Sequence, residues 1–196
     1  MGHIVIVSGP PGAGKSTVSP ILAEKSPYER TVCIHTDDFY NNICKGYIAP
    51  YKPEAEEQNV MVSKIMASCV KQYAEAGYEV LVDGLILISG WVLAHWIEII
   101  KSEIDLHYAI LLPDVKTMFL RNESRGDKFS PGGIKGITGM HHMFSECALY
   151  KSHFIDTSNQ SPDETATTIR NRVTEGSLLI NPSIYDTKGT LENGVH

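Results

Sequence analysis

No two of the four cysteines, at 33, 44, 69 and 147, stand in a C-x-x-C spacing. A zinc site or a disulfide framework is therefore not expected, and the thiols read as reduced groups of a cytoplasmic protein. Dense Lys/Arg blocks are also missing: 17 basic residues face 23 acidic ones, for a net charge of −6. Nonspecific nucleic-acid affinity comes from clustered cations on phosphates, so no nucleic-acid partner is expected. Nor is there an apolar run clean enough to span a membrane. The best, VLVDGLILISGWVLAHWIEII at 80–100, is broken by Asp83, Gly84, Ser89, Gly90, His95 and Glu98. A mid-bilayer aspartate is costly, and a buried strand followed by a buried helix explains the segment better. No basic stretch precedes the first apolar run, so a signal peptide is not expected and the protein reads as soluble, with no membrane partner. Two short motifs are absent as well. The chain has no Asn-Lys-x-Asp, the guanine reader of switch GTPases, and no G-x-G-x-x-G dinucleotide loop.

What is present is a strand–helix alternation. HIVIVS (3–8), TVCIHT (31–36), YEVLVD (78–83), DLHYAILL (105–112) and SHFIDT (152–157) are nearly continuous apolar, β-branched runs, as in a parallel sheet covered on both faces. Helical patterns fall near 15–26, 54–76, 90–102, 114–125, 138–150 and 162–175. The last opens with Ser161, Pro162 and Glu164, a capping box with proline at the first helical position. This order gives a doubly wound α/β sheet in one domain over 1–180, followed by a loosely ordered tail over 181–196. Pro20 falls inside the first helix, where it removes a donor and is expected to bend the second turn.

The first strand runs into GPPGAGKST, which fits G-x-x-x-x-G-K-[ST] between a strand and a helix. Glycines let backbone N–H groups close on a ligand, and the helix N-terminus adds its dipole, so the loop suits a polyphosphate. Gly9, Pro10, Pro11, Gly12, Ala13, Gly14, Lys15, Ser16 and Thr17 are the candidate nucleotide contacts. Lys15 reaches the β- and γ-phosphates as a point charge, and the Ser16 hydroxyl ligates Mg²⁺.

The second strand ends in IHTDDFY, and in doubly wound sheets ligands lie beyond the carboxyl ends of the strands. Asp37 is the candidate to take a proton from an acceptor hydroxyl or to organise Mg²⁺, with Asp38 beside it; either could instead cap a turn. Asp83, ending the third strand, is the natural carboxylate partner to the metal, or else a turn residue before Gly84. The residue after it is glycine rather than a water-activating glutamate, which favours phosphoryl transfer to a bound acceptor over hydrolysis.

GPPGAGKST, HTDDFY and the Asp-Gly turn at 83–84, with arginines before a glycine-rich stretch, resemble the small P-loop kinases: the shikimate, gluconate and chloramphenicol phosphotransferases and nucleoside-type kinases. The chain is most similar to bacterial AAA-family ATP-binding proteins with His35–Asp38, a Gly46–Pro50 segment, Gln58-Asn59 and Asp83-Gly84-Leu85. The resemblance covers about 1–175. It implies a P-loop NTPase fold of three α/β/α layers around a five-stranded parallel sheet in the order 2-3-1-4-5, with Asp37 as the catalytic carboxylate. It also implies that Thr157, Ser158 and Asn159, after the fifth strand, pack the adenine ring of ATP.

Between Asp37 and Glu103 there is no arginine, although nucleoside monophosphate kinases grip the acceptor phosphate with several there. The adenylate-kinase turn Asp-Gly-Phe-Pro-Arg is replaced by Asp83-Gly-Leu-Ile-Leu. A neutral, hydroxyl-bearing small molecule is the expected acceptor, with Asp38, Phe39, Tyr40, Gln58, Asn59 and Trp91 as candidate contacts. Arg121 and Arg125, at i and i+4, are placed to close on the transferring phosphoryl or to form surface salt bridges. A lid is expected over about 126–138. The expected activity is that of an ATP- and Mg²⁺-dependent kinase acting as a monomer or homodimer. A regulatory ATPase module and a nucleoside monophosphate kinase are the alternatives.

Overall fold

The computed structural model describes residues 2–124 and 133–184. Alternate residues of its central strands serve two different cores, because successive strand side chains point to opposite faces. In β1 (His3–Ser8), Ile4 and Ile6 enter one core and Val5 and Val7 the other. β2 spans Thr31–His35, β3 Glu79–Gly84, β4 Leu106–Leu111 and β5 Phe154–Ile155. Every residue of β3 and β4 is buried, which explains why these strands read as unbroken apolar runs. All pairings are parallel, in the order β2-β3-β1-β4-β5. The sheet order and layer architecture expected from the sequence are those of the structure.

Seven α-helices stand among the described residues: α1 (Lys15–Glu24), α2 (Thr36–Asn41), α3 (Glu56–Glu75), α4 (Gly90–Ile100), α5 (Val115–Ser124), α6 (Gly133–Ser145) and α7 (Pro162–Thr174). Val18 and Leu22 of α1 and Ala166 and Ile169 of α7 cover the Val5/Val7 face. Val62, Met66 and Val70 of α3, with Leu93, Trp96 and Ile99 of α4, cover the Ile4/Ile6 face. Each large apolar side chain so buried contributes roughly 1.5–3 kcal/mol. Helix α7 begins with the capping box read from the sequence: Ser161 Oγ accepts from Glu164 N at 3.2 Å, and Ser161 N donates to Glu164 Oε2 at 2.8 Å.

The opposite end of the sheet carries a buried ion pair. Glu79, fully buried, meets Arg170 Nη2 at 2.8 Å and His3 Nε2 at 2.7 Å, so α7 is tied to β3 and β1.

Several elements depart from the sequence reading. β2 stops at His35, and Thr36, Asp37 and Asp38 begin the short helix α2 instead of ending a strand. Two carboxylates in a first turn are favoured by the helix dipole, a signal that strand-like IHT masks. The expected strand at 152–157 shrinks to two residues, because Ala148–His153 forms a 3₁₀ helix before it. Its place along β4 is partly taken by 178–180: Tyr108 N donates to Leu178 O at 2.8 Å and Ile180 N to Leu106 O at 2.9 Å. Helix α1 runs through Pro20 to Glu24, with Pro20 exposed and Ser19 Oγ bonded to Lys15 O at 3.1 Å. Residues 133–138, expected in the lid, begin α6. Arg125, residues 126–132 of the lid, the Trp91 side chain and the tail from 185 lie outside the described residues.

Candidate active site

The loop after β1 takes backbone conformations that only glycine holds comfortably. Gly12 has φ 80° and Gly14 φ 104°, and a Cβ on Gly12 would stand 2.5 Å from Asn122 Nδ2 and 2.6 Å from Met118 O. Lys15 folds back over the loop, donating to Gly9 O at 2.8 Å and Pro10 O at 3.1 Å. Ser16 and Thr17 are exposed in the first turn of α1, at its dipole-positive end. Pro10, Pro11 and Ala13 complete the turn, in which Ala13 N donates to Pro10 O at 3.2 Å.

Strand register brings the acidic groups to the same end. His35, Asp83 and Val7 sit side by side on β2, β3 and β1. Asp83 is buried, and its Oδ2 lies 2.7 Å from His35 Nδ1. That hydrogen bond, partly opposed by burial, raises the His35 pKa above its ordinary value. Sequence reasoning gave His35 no role of its own; its position at the end of β2, two residues before Asp37, was the available signal. After Asp83 the chain must pass tightly against α2, since a Cβ on Gly84 would stand 1.9 Å from Thr36 Oγ1. The following turn is pinned by Ser8 Oγ and Tyr108 Oη, both donating to Ile86 O at 2.6 Å.

Two cavities flank the loop, as the strand order dictates. On the β4–β5 side, a cavity of about 250 Å³ is lined by Gly14, Thr17, Arg121, Thr157, Gln160 and Thr165. Arg121 Nη2 donates to Thr157 O at 2.7 Å, and its Nη1 reaches Thr157 Oγ1 at 3.2 Å and Ala13 O at 3.3 Å. The guanidinium therefore bridges the loop to the segment after β5. Thr157 is buried there, whereas Asn159 is exposed and does not line the cavity; Gln160 and Thr165 do.

On the β2–β3 side lies a cavity of about 550 Å³, walled by α2, α3, α4, α6 and the segments at 50–51 and 85–89. Asp37 is exposed and lines it, and it is the one charged side chain among the described residues that does. Asp38, also exposed, does not. Tyr40 lines it too, its phenol pKa raised by burial and by the negative charge of Asp37. Phe39 packs on the core. Gln58 spends its amide on the neighbouring loop: Oε1 accepts from Ile48 N at 2.9 Å and Nε2 donates to Ile48 O at 2.6 Å. Asn59 lines the cavity and donates from Nδ2 to Pro50 O at 2.8 Å. Trp96, which the sequence reading passed over in favour of Trp91, forms part of the wall. Helical spacing on α4 alone could have nominated it.

Among the described residues no group of three or more His, Cys, Asp or Glu side chains forms a ready-made metal cage. No helix there is long and apolar enough to cross a membrane.

A glycine loop feeding a helix at the centre of a 2-3-1-4-5 parallel sheet, with strand-end carboxylates beside it, defines a small P-loop kinase. The chain belongs to the chloramphenicol phosphotransferase-like family, whose sequence profile matches residues 2–174. It is 25% identical over 190 residues to a cytidylate kinase of Archaeoglobus fulgidus, covering 96% of this chain and 90% of that one. Its fold is that of the Deinococcus radiodurans tunicamycin resistance protein, with TM-score 0.66, 14% identity, and coverage of 93% of this chain and 100% of the other. The shikimate kinase of Acinetobacter baumannii, solved with shikimate, superposes with TM-score 0.63 at 16% identity, covering 91% and 96% of the two chains.

Proposed function

We propose that this kinase moves the γ-phosphate of Mg-ATP to a hydroxyl of a neutral small molecule held in the cavity beside Asp37. One observation carries the reading: among the described residues that cavity is lined by a single charged side chain, an aspartate, and by no cation. Among the described residues a phosphorylated acceptor would meet no guanidinium there, while an alcohol would meet a base. The base of the nucleotide occupies the smaller cavity against Arg121 and Thr157, and its phosphates lie over Gly9–Thr17. There Lys15 exchanges its contacts with Gly9 O and Pro10 O for phosphate oxygens.

Mg²⁺ prefers oxygen ligands and keeps much of its water, so a hydroxyl and one or two carboxylates suffice. The exposed Ser16 hydroxyl and the Asp83 carboxylate fit that requirement, with Asp37 on the acceptor side. When bound, the ion neutralises charge on the β- and γ-phosphates. Asp37 takes the proton of the acceptor hydroxyl as its oxygen attacks the γ-phosphorus, and the bond to ADP breaks. Helix α6, which supplies Met140 and Met143 to the cavity, helps exclude water.

The Archaeoglobus relative supports a second reading, a nucleoside monophosphate kinase. The absence of arginine between Asp37 and Glu103 weighs against it. A coupled ADP-release screen with Mg-ATP tests both, using a panel of neutral alcohols, sugars and hydroxylated antibiotics together with CMP. Turnover with a neutral alcohol is expected. Turnover with CMP alone would replace the first reading by the second.

A further inference from the structure

We propose that the outer face of α3 is a self-association surface: it seats α3 of a second copy of this chain, antiparallel, about a two-fold axis level with Cys69 and Val70. The proposal does not depend on the acceptor reading. Helix α3 turns Asn59, Ser63 and Met66 towards the β2–β3 cavity, and the face concerned is the opposite one.

Met61, Ile65, Ser68, Gln72 and Ala76 recur at helical spacing along that face, and all five are exposed. Met61 is 48% and Ile65 50% exposed, and Tyr73, on the flank of the same face, is 39% exposed. A surface helix ordinarily keeps its outer face polar, so an apolar stripe there marks an interaction surface. Methionine and tyrosine are also enriched where proteins meet. Beside the stripe runs a groove of about 740 Å³, lined by Ile65, Gln72, Tyr73 and Tyr78, in which the two tyrosine rings stand edge to face at 5.6 Å.

The charges choose the occupant. Lys64 and Glu75 border the stripe on its other flank, about three turns apart, and both are exposed. Neither meets an opposite charge among the described residues, whereas Lys71 of the same helix reaches Glu98 of α4 at 3.7 Å. In an antiparallel pair of α3 helices, Lys64 of each copy lies opposite Glu75 of the other, and both ion pairs form at once. In a parallel pair Lys64 would meet Lys64. The antiparallel register also sets Ile65 against Tyr73 of the other copy, and the small Ser68 near the axis lets the two backbones approach. Such a contact uses the same patch twice and closes on itself, so it gives a dimer. One helix pair lies at the small end of specific interfaces, so the association is expected to be reversible, with Kd in the micromolar range.

Sedimentation velocity of the full chain over a wide concentration range tests the proposal. The wild type is expected to pass from monomer to dimer as its concentration rises through the micromolar range, and Ile65→Asp should abolish that passage. Lys64→Glu and Glu75→Lys each turn both ion pairs into like-charge contacts, and each should raise the dimer Kd by about 10-fold or more. The double variant Lys64→Glu/Glu75→Lys restores the pairs with their signs exchanged, and should return Kd to within about 3-fold of wild type. The substituted side chains are all exposed, and a thermal melt of each variant checks that it is folded. A monomer at every concentration would overturn the proposal and leave the face to a different protein. A dimer indifferent to the charge variants, or one that the double variant fails to restore, would equally overturn the antiparallel α3 contact.

Discussion

Asp83 Oδ2 and His35 Nδ1 meet at 2.7 Å because the parallel register of β2 on β3 pairs these two residues at the sheet's carboxyl end. The imidazole thus fixes the orientation of a buried carboxylate at the carboxyl end of β3. In the Mg²⁺ role proposed for Asp83, a group that orients the carboxylate is worth about 10- to 100-fold in affinity or activity. His35→Ala should therefore raise the Mg²⁺ concentration needed for half-maximal ADP release by about that factor, with ATP binding measured without Mg²⁺ little changed. An unaltered Mg²⁺ dependence would leave the contact purely structural.

Asp37 and Asp38 are neighbours in one helical turn, yet of the two only Asp37 lines the β2–β3 cavity, the proposed acceptor site. Asp37→Asn should lower transfer to a saturating acceptor by about 10²- to 10⁴-fold while ATP affinity holds. Asp38→Asn should cost far less. Steady-state kinetics of the two variants decide it, and a reversed ranking would move the base to Asp38.

Lys15→Ala removes a charged hydrogen-bond donor worth about 1.5–3 kcal/mol, and so should weaken ATP binding by about 10- to 100-fold. The chain should still fold, since Lys15 opens α1 and belongs to neither core. Calorimetric titration beside a thermal melt separates the two effects. The same titration should show ATP ahead of GTP, because the chain has no Asn-Lys-x-Asp.

Acid should destabilise the fold in two steps. Burial lowers the His107 pKa from 6.5 to about 4, with the charge of nearby His3 acting in the same direction. Its neutral form belongs to the folded state, so this contribution is present above 6.5 and is lost as pH falls towards 4. Glu79 is pushed up by burial, but hydrogen bonds from His3 and Arg170 outweigh that and hold it at about 2. Its contribution is present above about 4.5 and disappears as pH falls towards 2. Tm measured from pH 7.5 to 2.5 should fall through both windows. His107→Gln should flatten the upper one and leave the lower in place.

The loop and the strands were legible because they are local or periodic, whereas the sheet order followed from the resemblance to small P-loop kinases. GPPGAGKST specifies its own geometry, and strands buried on both faces declare themselves by composition. What escaped depended on partners distant in sequence. Thr36–Asn41 forms a helix where Gly84 admits Thr36 closely. Leu178 and Ile180 hydrogen-bond to Tyr108 and Leu106 of β4, where Ala148–His153 is a 3₁₀ helix and not a strand. Gln58 holds the Ile48 backbone rather than facing the cavity, and the 48–58 loop that decides this carries no periodic pattern.

The close fit of Gly84 against Thr36 ties the end of β3, which carries Asp83, to the start of α2, which carries Asp37, and leaves no room for a Cβ at 84. This contact sets the spacing of the backbone that carries Asp37 and Asp83, whereas Asn59, Met140 and Met143 reach the β2–β3 cavity from α3 and α6. On the proposed acceptor reading, substitutions at Asn59, Met140 or Met143 should change the choice of acceptor and leave the phosphate loop intact. Engineered changes of substrate should begin on those helices and spare residues 35–37 and 83–84.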